Sequence, residues 1–201
     1  QLSGTVVKRA TLNNEDQMRA LDVRIGDFVY VEKGGEIIPK ITGVDLSQRT
    51  ESCTIPAFPE SCPDCGAALV RTEGEAKSFC PNQDGCPMQI KGRMLHFVSR
   101  RAMDILAGEM TIEQLFECGL AHSPADLYKI SKLQLVGLEG WQDRSAQKFM
   151  DSLTRSKEVP FERVLFALGI RHVGETTAKS LARHFNDIDS LAAASEEQLT
   201  E

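Results

Sequence analysis

Six cysteines are present, and four of them are spaced for one task. Cys62 and Cys65 flank Pro63-Asp64; fourteen residues then precede Cys80, and five separate Cys80 from Cys86. Two close pairs joined by a hairpin-sized spacer are the donor set of a tetrahedral four-cysteine zinc site. Each pair needs a turn that aims two sulfurs at one point. Pro63 and Gly66 suit the first turn, Gly66 by permitting a positive φ. Four thiolates close the coordination sphere, so such a centre is structural: no position stays open for a reacting water. No catalytic residue is read from the chain.

The same residues could form two disulfides instead. Nothing in the first residues reads as a secretory leader, and Cys53 and Cys118 are left over in other contexts, where buried free thiols are expected. Zinc is the expected occupant of the quartet.

A structural centre must hold something, and the rest of the chain says what. Its 201 residues, 41% hydrophobic and 26% charged, suit several small domains in series. No apolar run is long enough to span a bilayer, so no membrane partner is expected. A net charge of −6 argues against a nucleic-acid binder only in bulk, because the cations are clustered. Gly85 through Met103 holds no Asp or Glu, but carries Lys91, Arg93, His96, Arg100 and Arg101.

The expected fold class is multi-domain α+β. Residues 1–60 read as a small OB-type β-barrel, short enough to leave room for a first strand upstream of Gln1: short runs such as Phe28-Val29-Tyr30-Val31 and Ile37-Ile38 alternate with glycine turns. Gly34-Gly35 is a hairpin signal, and residues 13–21 fit a short helix. Residues 61–88 form the zinc module, with Ala68–Arg71 and Ala76–Phe79 as two small strands around Glu73-Gly74. Residues 89–201 read as helical throughout, as an all-α repeat domain. Ser123 precedes a first-turn Pro124, Ser131/Gln134 and Ser195/Gln198 fit capping boxes, and Gly119, Gly137 and Gly169 mark helix ends. A helix across the basic stretch would put Arg93, His96 and Arg100 on one face and Ile90, Met94 and Phe97 on another.

The helical part repeats itself at a shift of thirty-two residues. Gly137-Leu138 lies over Gly169-Ile170, Trp141 over Val173, Asp143 over Glu175 and Ala146 over Ala178; a weaker copy starts at Ala107-Gly108-Glu109. The unit is helix, glycine turn, helix. Such a turn exposes backbone N–H groups at a helix N-terminus, where the dipole also favours an anion, and so cradles a phosphate without reading a base. This is the helix-hairpin-helix pattern. Each strong copy keeps one glycine of the Gly-hydrophobic-Gly form: Gln142 stands in the second place of one, His172 in the first place of the other.

Longer stretches carry a family resemblance over nearly the whole chain. Lys8-Arg9-Ala10-Thr11-Leu12-Asn13-Asn14-Glu15-Asp16, Asp22-Val23-Arg24-Ile25-Gly26-Asp27 and Gly35-Glu36-Ile37-Ile38-Pro39-Lys40 resemble the OB-fold of bacterial NAD-dependent DNA ligases. The cysteine module is similar to that family's zinc finger. His96-Phe97-Val98-Ser99-Arg100-Arg101-Ala102-Met103-Asp104-Ile105 and Phe166-Ala167-Leu168-Gly169-Ile170-Arg171-His172-Val173-Gly174-Glu175 resemble its helix-hairpin-helix domain. Asn13 departs from a frequent His, and Asp104–Glu109 is one residue short of the usual hairpin.

The resemblance implies a DNA-gripping, C-terminal part of a monomeric cytoplasmic enzyme of replication and repair. That enzyme seals nicks in double-stranded DNA with NAD and Mg²⁺. Its Lys-x-Asp-Gly nucleotidyltransferase domain would lie upstream. No such motif occurs here, so the fragment is expected to be inactive alone, and a fourth hairpin and a BRCT domain would follow Glu201. Expected DNA contacts are Arg9, Arg24, Lys33 and Lys40 on the OB surface, Arg93, Arg100 and Arg101 beside the zinc, and the turns at Gly108, Gly140 and Gly174. The competing expectation is a stand-alone zinc and helix-hairpin-helix adaptor without enzymatic activity.

Overall fold

The computed structural model describes residues 6–33 and 38–200. The chain divides into two compact units, Gln1–Asn82 and Gln83–Glu201.

In the first unit, strands β1 (Val29–Glu32) and β2 (Lys40–Val44) pair antiparallel, with a register irregularity between Tyr30 and Val31. The side chains of β1 alternate between half-buried and exposed, the period-2 pattern of a strand with one covered face. The pairing is that of a hairpin; Gly34-Gly35 lies outside the described residues. Two more segments join by single bridges. Thr11 lies beside Lys40, and Ile25 exchanges two backbone hydrogen bonds with Thr54 at 2.9 and 3.2 Å. The expected short helix is α1 (Glu15–Ala20), started by Asn14, whose side chain accepts from the Gln17 N–H at 2.9 Å.

The loop at 22–27 is fastened by ionic contacts. Arg49 grips the fully covered Asp27 carboxylate through two N–H groups, at 2.9 and 2.8 Å, and Asp27 also accepts the Arg24 N–H at 2.7 Å. The Arg49 guanidinium holds the Asp27 carboxyl down to about 2.

The cysteine segment has less strand than expected. Among the described residues it holds two isolated bridges: Ser61 with Ala68, and Val70 with Phe79 by two 2.9 Å hydrogen bonds, and a turn with Gly74 at φ +82° closes the excursion.

The second unit is helical among its described residues. α2 (Pro87–Val98) is followed by α3 (Glu109–Glu117), α4 (Pro124–Leu127), α5 (Lys132–Val136), α6 (Asp143–Ser156), α7 (Phe161–Ala167), α8 (Glu175–His184), α9 (Ile188–Ala192) and α10 (Glu196–Thr200). The expected stops and starts are in place. Ser123 precedes Pro124, Ser131 and Gln134 form a capping box, Ser195 and Gln198 exchange two hydrogen bonds, and Gly119 and Gly169 follow helices at φ +71° and +65°. Ile90, Met94 and Phe97 of α2 pack into a core with Ile112, Leu115, Leu127, Leu135, Ala146, Phe149 and Leu153. These recur at helical spacing, so each helix buries one stripe.

Two expectations fail here. α2 ends at Val98, so Arg100 does not share a face with Arg93. The Met103 and Ile105 N–H groups bond the Phe97 and Val98 carbonyls at 3.1 and 3.0 Å, and this return of the chain buries Ala102 and Met103. Cys118 is exposed rather than buried. It is the cap that follows α3, and Ala121 beyond it fills the core instead.

Candidate metal centre and nucleic-acid interface

The four cysteines converge. Their sulfurs all lie within 4.8 Å of one another, and Cys65 Sγ is 3.5 Å from Cys80 Sγ. A tetrahedron with Zn–S bonds near 2.3 Å puts its sulfurs about 3.8 Å apart. The cluster therefore fits one zinc ion, and the sulfurs are not bonded in pairs.

Local backbone explains the convergence. Gly66, at φ +72°, donates its N–H to Cys62 O at 2.9 Å, and Cys62 donates to Ala67 O at 2.8 Å. That knuckle turns Cys62 and Cys65 to the same side. Cys86 is the residue before α2, where Pro87 opens the helix and Ile90 N–H bonds Cys86 O at 3.0 Å. The Ala67 N–H draws the Cys65 thiol down to about 7, while burial pushes Cys80 up to about 11. A divalent cation would take the place of the protons and hold all four as thiolates.

The thirty-two-residue repeat is also a structural repeat. α5 and α6 form one hairpin and α7 and α8 the next, with α6 and α8 starting at Asp143 and Glu175. In both, the first-place residue is left-handed: Gly140 at φ +80° and His172 at φ +67°. In both, the next residue turns back on the preceding segment: Trp141 N–H bonds Leu138 O at 3.3 Å and Val173 N–H bonds Ile170 O at 3.0 Å. The second-place residue is extended in both, Gln142 at φ −124° and Gly174 at φ −84°. Positive φ is therefore demanded only in the first place. Gln142 costs the backbone nothing, whereas His172 sits where L-residues are strained.

The second place matters for access. A Cβ on Gly174 or Gly108 would meet nothing within 4 Å, and neither α8 nor α3 carries a side-chain cap. The first-turn N–H groups there are left without a capping side chain. In the middle hairpin the Gln142 N–H is taken by Ser145 Oγ at 2.9 Å. The Gly108 copy keeps the extended residue before α3 (φ −99°), but its left-handed residue is Asp104, four positions earlier rather than two.

The other expected contacts divide by partner. Arg9, Lys33, Lys40 and Arg100 are exposed. Arg24 is half-buried, 3.3 Å from Asp22. Arg93 donates to Gln83 O at 2.8 Å and lies 3.3 Å from Asp84. Arg101 is 2.9 Å from Glu175, the residue after Gly174, so the structure brings this arginine to the third turn. Gly108 and Gly140 are both exposed, and Gly140 shares one groove with Leu106 and Glu109. His96 turns inward, donating from Nε2 to Phe166 O at 2.7 Å.

Three positioning side chains escaped the sequence reading. Gln114 accepts from Trp141 Nε1 at 2.8 Å and donates to Glu139 O at 2.9 Å, fixing the second turn. Buried Ser152 accepts the Leu106 N–H at 3.0 Å. Arg163 bonds the Arg100 and Ala102 carbonyls, each at 2.7 Å. All three act across 25 or more residues of chain, a separation that leaves no local pattern.

An OB-type β unit, a four-cysteine centre and tandem helical hairpins define a multidomain α+β chain of known family parts. Residues 1–53 match the NAD-dependent DNA ligase OB-fold domain, 61–87 the NAD-dependent DNA ligase C4 zinc finger domain, and 163–201 a helix-hairpin-helix motif. Proteins named DNA ligase from Christiangramia forsetii and Parabacteroides distasonis are each 55% identical, over 99% and 98% of this chain. One from Bacteroides fragilis is 54% identical over 99%. By sequence the chain belongs with the NAD-dependent DNA ligases. It spans about 30% of the length of these relatives. Among the described residues, no helix is long and apolar enough to cross a membrane.

Proposed function

We propose that this chain is the DNA-gripping portion of an NAD-dependent DNA ligase, acting on nicked double-stranded DNA in replication and repair. One observation carries the reading: at least 54% identity to proteins named DNA ligase across nearly the whole chain. In this reading residues 1–60, 61–88 and 89–201 are the OB-fold, zinc finger and helix-hairpin-helix domains. Cys62, Cys65, Cys80 and Cys86 hold a structural zinc, which supplies folding energy and no chemistry.

Arg9, Arg24, Lys33 and Lys40, with Arg93, Arg100 and Arg101, neutralise phosphates, and the turns at Gly108, Gly140 and Gly174 offer N–H groups to the backbone. The lack of a side-chain cap before α3 and α8 supports the outer turns most. The adenylyl chemistry, NAD and Mg²⁺ belong to an upstream nucleotidyltransferase domain of the same cytoplasmic, monomeric protein.

Two measurements on the chain test this. With labelled NAD it should form no lysine adduct, and in anisotropy titrations it should bind nicked duplex. A nucleotide adduct would refute the division of labour; no binding to nicked duplex at low salt would refute the grip.

A further inference from the structure

Arg163 lies on α7, and its side chain leaves that helix to bind the backbone of another segment. Nε donates to Ala102 O and Nη2 to Arg100 O, each at 2.7 Å. The two carbonyls flank Arg101. On its other side this backbone is fixed by the core, because Ala102 and Met103 are buried and the Met103 and Ile105 N–H groups close the end of α2. The segment is thus held from both sides, and the Arg100 and Arg101 side chains are what it leaves exposed. Arg101 then reaches Glu175, in the first turn of α8, at 2.9 Å. His96 adds a second tie between α2 and α7 through Phe166 O.

We propose that Arg163 is a positioning residue for DNA binding: it holds the Arg100–Ala102 backbone so that Arg100 and Arg101 stand beside the third hairpin turn, making cations and turn one phosphate-binding surface. The proposal rests on the DNA-gripping function above. It requires a guanidinium, since a planar fork can serve two separated carbonyls and a lysine ammonium is a single point charge. It also separates two kinds of arginine in one neighbourhood. Arg100 and Arg101 meet phosphate, and Arg163 meets only protein.

The test is a salt series of duplex binding with Arg163→Lys, Arg163→Met, Arg101→Met and the doubles with Arg101→Met. Arg101→Met should make the slope of log K against log salt shallower by about one. Arg163→Lys, which keeps the charge, should reproduce that loss, and the double with Arg101→Met should lose little more. Wild-type affinity and slope for Arg163→Lys, or losses that add in the double, would overturn the positioning role while leaving the DNA reading intact. If Arg100→Met and Arg101→Met both bind as wild type, the DNA-contact reading of these residues fails and takes the proposal with it.

A second measurement needs no variant. In the NMR spectrum of the unaltered chain, the Arg163 Nε–H should be protected from exchange and keep its shift as duplex is added, while Arg101 shifts. An unprotected Arg163 Nε–H, or one that shifts as Arg101 does, would overturn the proposal even if the substituted chains fail to fold.

Discussion

The Asp27 carboxylate is fully covered and answers to one guanidinium, that of Arg49. Its carboxyl is held at about 2, below the ordinary 3.8. A depressed folded value means that the stabilisation is complete above about pH 4 and is lost as pH falls through about 2. Thermal melts between pH 5 and 2 should show the first unit weakening over that window. Asp27→Asn should lower the melting temperature at pH 7 and flatten the pH dependence. An unchanged profile in the variant would mean that Asp27 does not govern it. At the cysteines, zinc binding must displace protons, above all from Cys80, so apparent zinc affinity should fall as pH is lowered. A chelator should remove about 10 kcal/mol or more of local folding energy, and Cys80→Ser, which leaves three thiolates, part of it. Metal analysis and circular dichroism would show zinc lost and residues 61–88 unfolded.

At the scale of elements, the two glycine places of the hairpin have different jobs. Gly140→Ala puts a side chain at φ +80° and should destabilise by roughly 1 kcal/mol. Gly174→Ala should leave stability within about 0.5 kcal/mol, because its backbone is extended and its surroundings open. A phosphate drawn against this turn would meet the added methyl, so duplex affinity should drop without a change in melting temperature. If Gly174→Ala binds as wild type, phosphate does not approach that turn.

This difference was only half legible in the sequence. The thirty-two-residue shift located both turns and the capping residues located the helix ends, since both are local signals. Which glycine needs positive φ was not legible, because Gln142 and His172 look like equivalent losses in one dimension. The end of α2 was hidden too. Arg93, His96 and Arg100 keep helical spacing through a bend that only buried Ala102 and Met103 explain. Gln114, Ser152 and Arg163 left no trace because their partners lie far along the chain.

At the scale of the whole molecule, the cysteine quartet was the most legible feature, since metal geometry fixes spacing and turn chemistry together. The OB unit was the least. Among the described residues it shows one strand pair and two bridged segments, with few caps or periodic runs to announce them. What the cations and turns hold, on the proposed function, is a DNA backbone. This is tested most directly by duplex affinity of the zinc-loaded chain across a salt series, on two nicked duplexes of unrelated sequence. A backbone grip predicts near-equal affinities and a linear log–log plot falling by about 0.9 per phosphate neutralised. Strong preference for one sequence, or binding indifferent to salt, would contradict it.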